Sequence, residues 1–466
     1  MIKTYDSRVD EEDIPIPRKH RNTGISPQNK LSSEKVEEIE TWIMDFAKRI
    51  GEPSRRNTKD TILLPACYTI TMLYELCSEN INDQSDFVFS RSTFYSILTG
   101  DACKYIRVSS PKTDVCETCD LLRTELNSIA HAGPYREGHE ISMPSTSLSN
   151  HLFLARTARD EYKNDQKRSQ CGDISHFSFD YSQNLVLPHK SNQPGPFYFY
   201  SLRNCYLFGI TDESCNCQMN YLVDEAECGK GSNEVVSMVQ YFLSSLPGIK
   251  KKHMIFNADN CIGQNKNNTI MKYFAWLCSI GDSQVIEVKF MIKGHTFFSP
   301  DSNFSLIKRK YRRSDAFSLE HLADIIRDSS KTNDAEILDG KCVFEYKKTL
   351  GKLFKDIPNI TRYHHFYFDA SRPGIVELKE NFNSAWTEKN ILKVKTSDHK
   401  ACAKKLKFPD CIPPGLTPIK QIDLYEKVRK YVPEKYKNIL CPKPSSDVIV
   451  LGKKQKKEKT KQKKIS

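Results

Sequence analysis

Three aspartates sit where a sequence reader would look for chemistry. Asp180 closes a predicted strand, His176-Phe-Ser-Phe-Asp180-Tyr181. Asp259 directly follows another, Met254-Ile-Phe256, in the run Phe256-Asn-Ala-Asp259-Asn-Cys-Ile-Gly263. Asp301 comes just after a third, at the second position of a helix opened by Ser299-Pro300, a cap followed by proline. The carboxyl ends of strands are where functional side chains gather in open sheets covered by helices. Carboxylates drawn together there repel one another unless cations lie between them. Two Mg²⁺ or Mn²⁺ ions, about 3.5–4 Å apart, suit in-line phosphoryl transfer: one activates the attacking water or hydroxyl, the other stabilises the leaving oxygen. Taken singly, each aspartate has a plainer role, as a turn former, a helix-dipole partner or a polar strand end. Their joint placement makes a shared metal site the stronger reading.

Polar groups cluster around these positions. Gln264, Asn265 and Lys266 follow Gly263 and can donate to phosphates or read bases. His295, in Gly294-His295-Thr296, is a candidate proton shuttle or phosphate donor, with a structural histidine as the alternative. Lys308, Arg309, Lys310, Arg312 and Arg313 form a basic run just beyond Asp301 and are candidate nucleic-acid contacts.

A second constellation involves sulfur. Cys116-Glu-Thr-Cys119 has half the spacing of a structural zinc site. His151, on a following helix, is the first choice for a third ligand, with Cys103, His131 and His139 as competitors. Cys215, Cys217 and Cys228 are a poorer set, because one intervening residue is poor chelate spacing. Cys67, Cys77, Cys205 and Cys278 fall on apolar faces and are expected in the core.

The elements that must position these groups follow from periodicity. Residues 1–30 read as a flexible leader. Residues 31–100 read as a helical domain and a candidate for DNA binding. Its helices run from about Glu34 to Ile50, capped by Ser33, from about Ala66 to Cys77, and from a Ser92 cap to Leu98. Three helices with a short last one fit a helix-turn-helix or an ordinary helical domain equally. Residues 101–170 read as a helical linker carrying the Cys-x2-Cys, with helices over 120–129 and from about 147. Residues 171–330 alternate as strand, strand, strand, helix, strand, helix, strand, helix. Residues 331–450 read as a C-terminal mixed domain, with helices over 350–354 and 421–431. Residues 451–466 read as a disordered lysine-rich tail. The fold class is therefore α/β, a mixed sheet flanked by helices, with an N-terminal helical domain.

Composition narrows the classes. Hydrophobic residues make up 38% and aromatics 10%, which suits a folded core rather than a disordered chain. No apolar run is long enough for a membrane span, and the first 17 residues lack the apolar stretch of a secretory signal. The 16 cysteines are accordingly expected to be reduced. Lys plus Arg exceeds Asp plus Glu by 70 to 58. Residues 453–464 alone hold eight lysines and one glutamate, a candidate nuclear-localisation or phosphate-binding arm. Neither a Gly-x-Ser-x-Gly elbow nor a Gly-x4-Gly-Lys-Ser/Thr loop is present, so serine-hydrolase and P-loop readings lack support.

The combination of Asp180, Asp259-Asn260-Cys261 with Gly263-Gln264-Asn265-Lys266-Asn267, and Gly294-His295-Thr296 followed by Asp301 and Phe304 resembles a family of uncharacterised, transposon-encoded proteins. Their core is similar to the RNase H-like fold of DDE/DDD transposases and integrases. The resemblance covers about residues 90–330, including the stretch from Pro111 to Asp120. It implies that Asp180, Asp259 and Asp301 are a catalytic triad binding two Mg²⁺ or Mn²⁺ ions. It also implies DNA as substrate and partner, a homo-oligomer, no membrane association and a nuclear location. The third acid is Asp where Glu is commoner, so its helix would have to start closer to the cations. The alternative is a domesticated, catalytically inactive DNA-binding or chromatin-associated protein.

Overall fold

The structure is a computed structural model and describes residues 31–53, 61–84, 87–109, 115–131, 138–246, 248, 252–393 and 396–462. The leader expected over residues 1–30 lies outside the described residues. The chain divides after Asp114 into two compact units.

The first unit holds α1 (Ser33–Ile50), β1 (Glu52–Pro53), β2 (Ile62–Leu64), α2 (Ile70–Gln84), α3 (Arg91–Leu98) and β3 (Ile106–Val108). In α1, Ile39, Ile43 and Ala47 recur at helical spacing and are buried. They pack with Leu73, Cys77, Phe94 and Ile106. The caps are Ser32 and Ser90, each accepting from the backbone N–H three residues on, rather than the expected Ser33 and Ser92. The sequence also gave no hint of the three-stranded sheet β1-β2-β3, whose strands are only two or three residues long. Cys103 is buried in this core, which explains it without a metal.

The second unit opens with α4 (Glu117–His131) and the 33-residue α5 (Gly138–Gln170), which begins earlier than expected. Then come β4 (Ser175–Tyr181), β5 (Leu185–Leu187), β6 (Arg203–Asp212), β7 (Cys217–Asp224), α6 (Ser232–Ser245), β8 (His253–Ala258), α7 (Asn268–Ile280), β9 (Val285–Phe290), α8 (Ser299–Tyr311) and α9 (Leu319–Arg327). The chain continues through β10 (Asn333–Ile337), α10 (Tyr346–Leu350), β11 (His365–Asp369), β12 (Ile375–Lys379) and β13 (Thr387–Asn390). It ends with α11 (Thr396–Lys404), α12 (Pro418–Asp423), α13 (Glu434–Leu440) and α14 (Ser446–Gln462).

One mixed sheet organises this unit, in the order β10-β7-β6-β4-β8-β9-β11-β12-β13, with β5 paired to β6. Inside the sheet, β4 is antiparallel to β6 and parallel to β8, and β8 is parallel to β9. Alternation along β4 sorts its side chains: Phe177 and Phe179 enter the core beneath α6 and α7, with Val236, Phe242, Phe256 and Phe274. On the other face, Leu207 and Leu222 pack against Phe304 and Ile307 of α8 and Leu322 and Ile326 of α9.

Two expectations about the C-terminal half need correction. Residues 331–450 are not a separate domain. β10 pairs in parallel with β7 and β11 antiparallel with β9, so this stretch completes both edges of the sheet. Nor does order end at 450: α14 runs through Gln462, and Lys, Gln and Glu are good helix formers. Among the described residues, no helix is long and apolar enough to cross a membrane.

Candidate metal centres

Register brings two of the three aspartates to one edge of the sheet. β4, β8 and β9 are adjacent and parallel, so their carboxyl ends lie together. Phe179 is level with Ala258, which places Asp180 and Asp259 one residue beyond the same rung. Asp301 arrives from the loop after β9, in the first turn of α8, where its Oδ2 accepts from the Phe298 N–H at 3.2 Å. The electrostatics reflect their proximity. Burial, then the charges of Asp259 and Asp301, push the Asp180 carboxyl well above its ordinary range. Burial also raises Asp301, helped by Asp259 and opposed by the Phe298 N–H, Lys308 and Arg159.

Asn265 connects two of the three carboxylates. Its Nδ2 donates to Asp259 Oδ1 at 2.6 Å and reaches Asp180 Oδ1 at 3.5 Å. Asp259 Oδ1 also accepts from the Cys261 N–H, and Asp180 Oδ1 from the Tyr181 N–H. The neighbouring Lys266 is a correction. It is 2% exposed, its Nζ donates to Asn260 Oδ1 at 3.0 Å and lies 5.2 Å from the centre of the Phe290 ring. Burial pushes it down to about 8. The sequence predicted both side chains as contacts for nucleic acid, but the loop folds them inward. Gln264 is half-buried, and Asn267 caps α7 by accepting from Thr269 and Ile270. A cation near the acids that the sequence reading missed is Lys230. Its Nζ donates to Ser182 O and Asn184 Oδ1, and it lies 4.6 Å from the centre of the Tyr181 ring. Burial lowers its pKa, while the charge of Asp180 opposes the shift. Of the basic run at the end of α8 and just beyond it, Arg309, Arg312 and Arg313 are exposed, and Lys310 pairs with Asp328 at 3.4 Å in solvent.

The sulfur site is closed and tetradentate. Cys116, Cys119, His151 and His295 present ligand atoms that all lie within 4.8 Å of one another. Cys116 Sγ is 3.2 Å from His151 Nε2, Cys119 Sγ is 3.3 Å from His295 Nε2, and the two Nε2 atoms are 3.1 Å apart. A tetrahedral zinc with Zn–N of about 2.0–2.1 Å and Zn–S of about 2.3 Å requires edges of roughly 3.3–3.8 Å, so the set is sized for such an ion. This Cys₂His₂ cluster can hold a metal such as zinc. Among the described residues it is the only group of three or more His, Cys, Asp or Glu side chains gathered this closely, and the three aspartates are not such a group. His295 is therefore reassigned. The sequence reading gave it to the aspartates, yet the turn at Gly294 carries it to the cysteines. Gly294 has φ +79°, and a Cβ there would lie 2.6 Å from Cys116 Cβ, so both conformation and contact require glycine. The side chains of His131 and His139, earlier competitors, lie outside the described residues. Cys215 and Cys217 are exposed and form no such cluster with Cys228. Cys67 is exposed, against expectation, while Cys77, Cys205 and Cys278 are buried as expected.

The two centres share a support, helix α5. Beyond His151, its Arg159 donates to Phe297 O in the loop before Asp301. Tyr162 Oη donates to Glu213 at 2.7 Å and accepts from the Ser299 N–H at 3.1 Å. Glu213, 1% exposed, also accepts from Gln166 and Ser299, each at 2.7 Å. Asp165, also nearly fully buried, meets Lys289 of β9 at 2.7 Å. The loop between β9 and α8 is thus held along its length, from Lys289 through His295 to Ser299.

Comparison with known families adds one match. Residues 202–385 correspond to a domain of unknown function, DUF7869. That span contains Asp259, His295 and Asp301 but not Asp180, Cys116, Cys119 or His151, so both centres draw ligands from outside it. No curated protein and no solved structure matches the chain.

Proposed function

We propose that the protein is a transposase or transposase-derived enzyme that binds DNA, cleaves a phosphodiester and transfers the strand. The observation that carries this reading is the placement of Asp180 and Asp259 at the carboxyl ends of the adjacent parallel strands β4 and β8, with Asp301, in the first turn of α8, close enough for its charge to act on Asp180. The strand order β7-β6-β4-β8-β9, with an antiparallel β7-β6-β4 meander and parallel β4, β8 and β9, supports a core similar to the RNase H-like fold. Two Mg²⁺ or Mn²⁺ ions at the acids would supply charge neutralisation for the attacking and leaving oxygens. In the first step water attacks a phosphorus, the bond to the 3′ oxygen breaks, and a 3′-hydroxyl and a 5′-phosphate result. In the second that hydroxyl attacks a phosphorus of target DNA and displaces its 3′ oxygen. The exposed Arg309, Arg312 and Arg313 suit the strand's phosphates. The Cys₂His₂ centre, in this reading, binds one structural zinc. The first unit, the lysine-rich end and a second copy of the chain would complete the assembly on DNA in the nucleus.

The test is Mn²⁺- or Mg²⁺-dependent nicking of supercoiled DNA by the full chain beside D180N, D259N and D301N. Metal-dependent nicking that falls at least 100-fold in each variant is expected. DNA binding without nicking, unchanged in the variants, would overturn the catalytic reading in favour of an inactive, DNA-binding descendant.

A further inference from the structure

Asn265 carries more than its neighbours' hydrogen bonds explain. Its side chain is fully buried, at 0% exposure. Its Nδ2 faces two carboxylates, Asp259 Oδ1 at 2.6 Å and Asp180 Oδ1 at 3.5 Å. The other end of the amide, Oδ1, is buried with no hydrogen-bond partner. Leaving such a carbonyl unpaired is costly, and a buried orphan asks for an explanation, a bound ion among them. A carboxamide between two acids does what a cation would do: it places positive hydrogens between like charges. Its two ends are nearly the same size, so rotation about the terminal bond exchanges nitrogen for oxygen without moving the backbone. The oxygen would then stand at the same separations from the two carboxylate oxygens. Those separations bracket the roughly 3 Å edge of an octahedron of oxygens at about 2.1 Å from Mg²⁺. Three oxygens so placed repel unless a cation joins them.

We propose that Asn265 is a further ligand of the divalent-cation site, its amide standing in for the ion in the metal-free protein and turning its Oδ1 onto the ion when one binds. The inference rests on the carboxylate-site reading above. It accounts for an asparagine packed inward from a loop whose exposed residues, Ile262 and Gly263, face solvent.

The test titrates Mn²⁺ into the full chain, with free ion read by electron paramagnetic resonance, for wild type, D259A, N265A and N265D. Thermal unfolding without metal checks folding. The inference expects wild-type binding, loss in D259A, binding at least tenfold weaker in N265A, and binding at least as tight as wild type in N265D, where a carboxylate oxygen takes the amide's place. If N265A binds as wild type does, Asn265 is no ligand and the inference fails while the site stands. If N265D folds yet loses binding along with N265A, the residue acts only by holding the loop, and the inference fails again. Should N265A not fold, N265D decides alone, retention supporting the inference and loss overturning it. If wild type and D259A behave alike, the carboxylate-site reading itself falls and takes the inference with it.

Discussion

Asp180 is the residue with most at stake in the metal-free state. A carboxyl whose pKa is raised on folding binds its proton more tightly in the native chain than in the unfolded one. Its contribution is therefore favourable at low pH. It is lost as pH rises from the unfolded value, about 4, through the raised folded one. D180N keeps the oxygen that accepts the Tyr181 N–H but removes the charge. The expected result is a stability gain in D180N over wild type, measured without divalent ions by chemical denaturation, that is small at pH 4 and larger at pH 7. Added Mn²⁺ should narrow the difference by stabilising only the wild type. At the sulfur centre, the full chain is expected to carry one zinc by elemental analysis, and H295A and C119A to lose it. The Cys116–Cys119 pair was legible from its spacing, and His151 as a histidine on the following helix, 35 residues beyond Cys116. His295 was not, since it lies 176 residues beyond Cys119 and only the fold joins them. The inward turn of Asn265 and Lys266 was equally hidden, because polar residues after a glycine look like a solvent loop until the loop is closed.

At the scale of elements, the β9–α8 loop is where both centres are decided. G294A would put a Cβ against Cys116 and force a side chain into a left-handed conformation. It should cost about 1–3 kcal/mol and lower zinc content, read by thermal unfolding and elemental analysis together. Y162F removes the hydroxyl that donates to buried Glu213 and accepts from the Ser299 N–H. A loss of about 1–3 kcal/mol is expected, and with it a weaker hold on the turn that presents Asp301. β4, β6, β7, β8 and β9 and the helices α6 and α7 were readable from alternation and helical periodicity. The partnership of β10 with β7 and of β11 with β9 was not, because pairing across more than 70 residues leaves no local pattern. The two serine caps were displaced by one or two residues, since Ser32 and Ser33, or Ser90 and Ser92, offer the same hydroxyl to neighbouring turns.

For the molecule as a whole, charge and architecture point the same way. The chain carries a formal net charge of +12, with eight lysines among residues 453–464. Deleting residues 453–466 should weaken DNA binding uniformly across sequences and flatten the salt dependence of the association constant, measured by fluorescence anisotropy at several salt concentrations. The α/β class with helices flanking a mixed sheet was legible from the order of elements. The fusion of 331–450 into that sheet was not, because strands of four or five residues are weak signals. What the account finally depends on is a cation among Asp180, Asp259 and Asp301. The most direct measurement is a crystal structure of the full chain with Mn²⁺ and a DNA duplex, using anomalous scattering to locate manganese. The account predicts two peaks about 3.5–4 Å apart between those carboxylates. Manganese found elsewhere, with the three carboxylates empty of it, would contradict it.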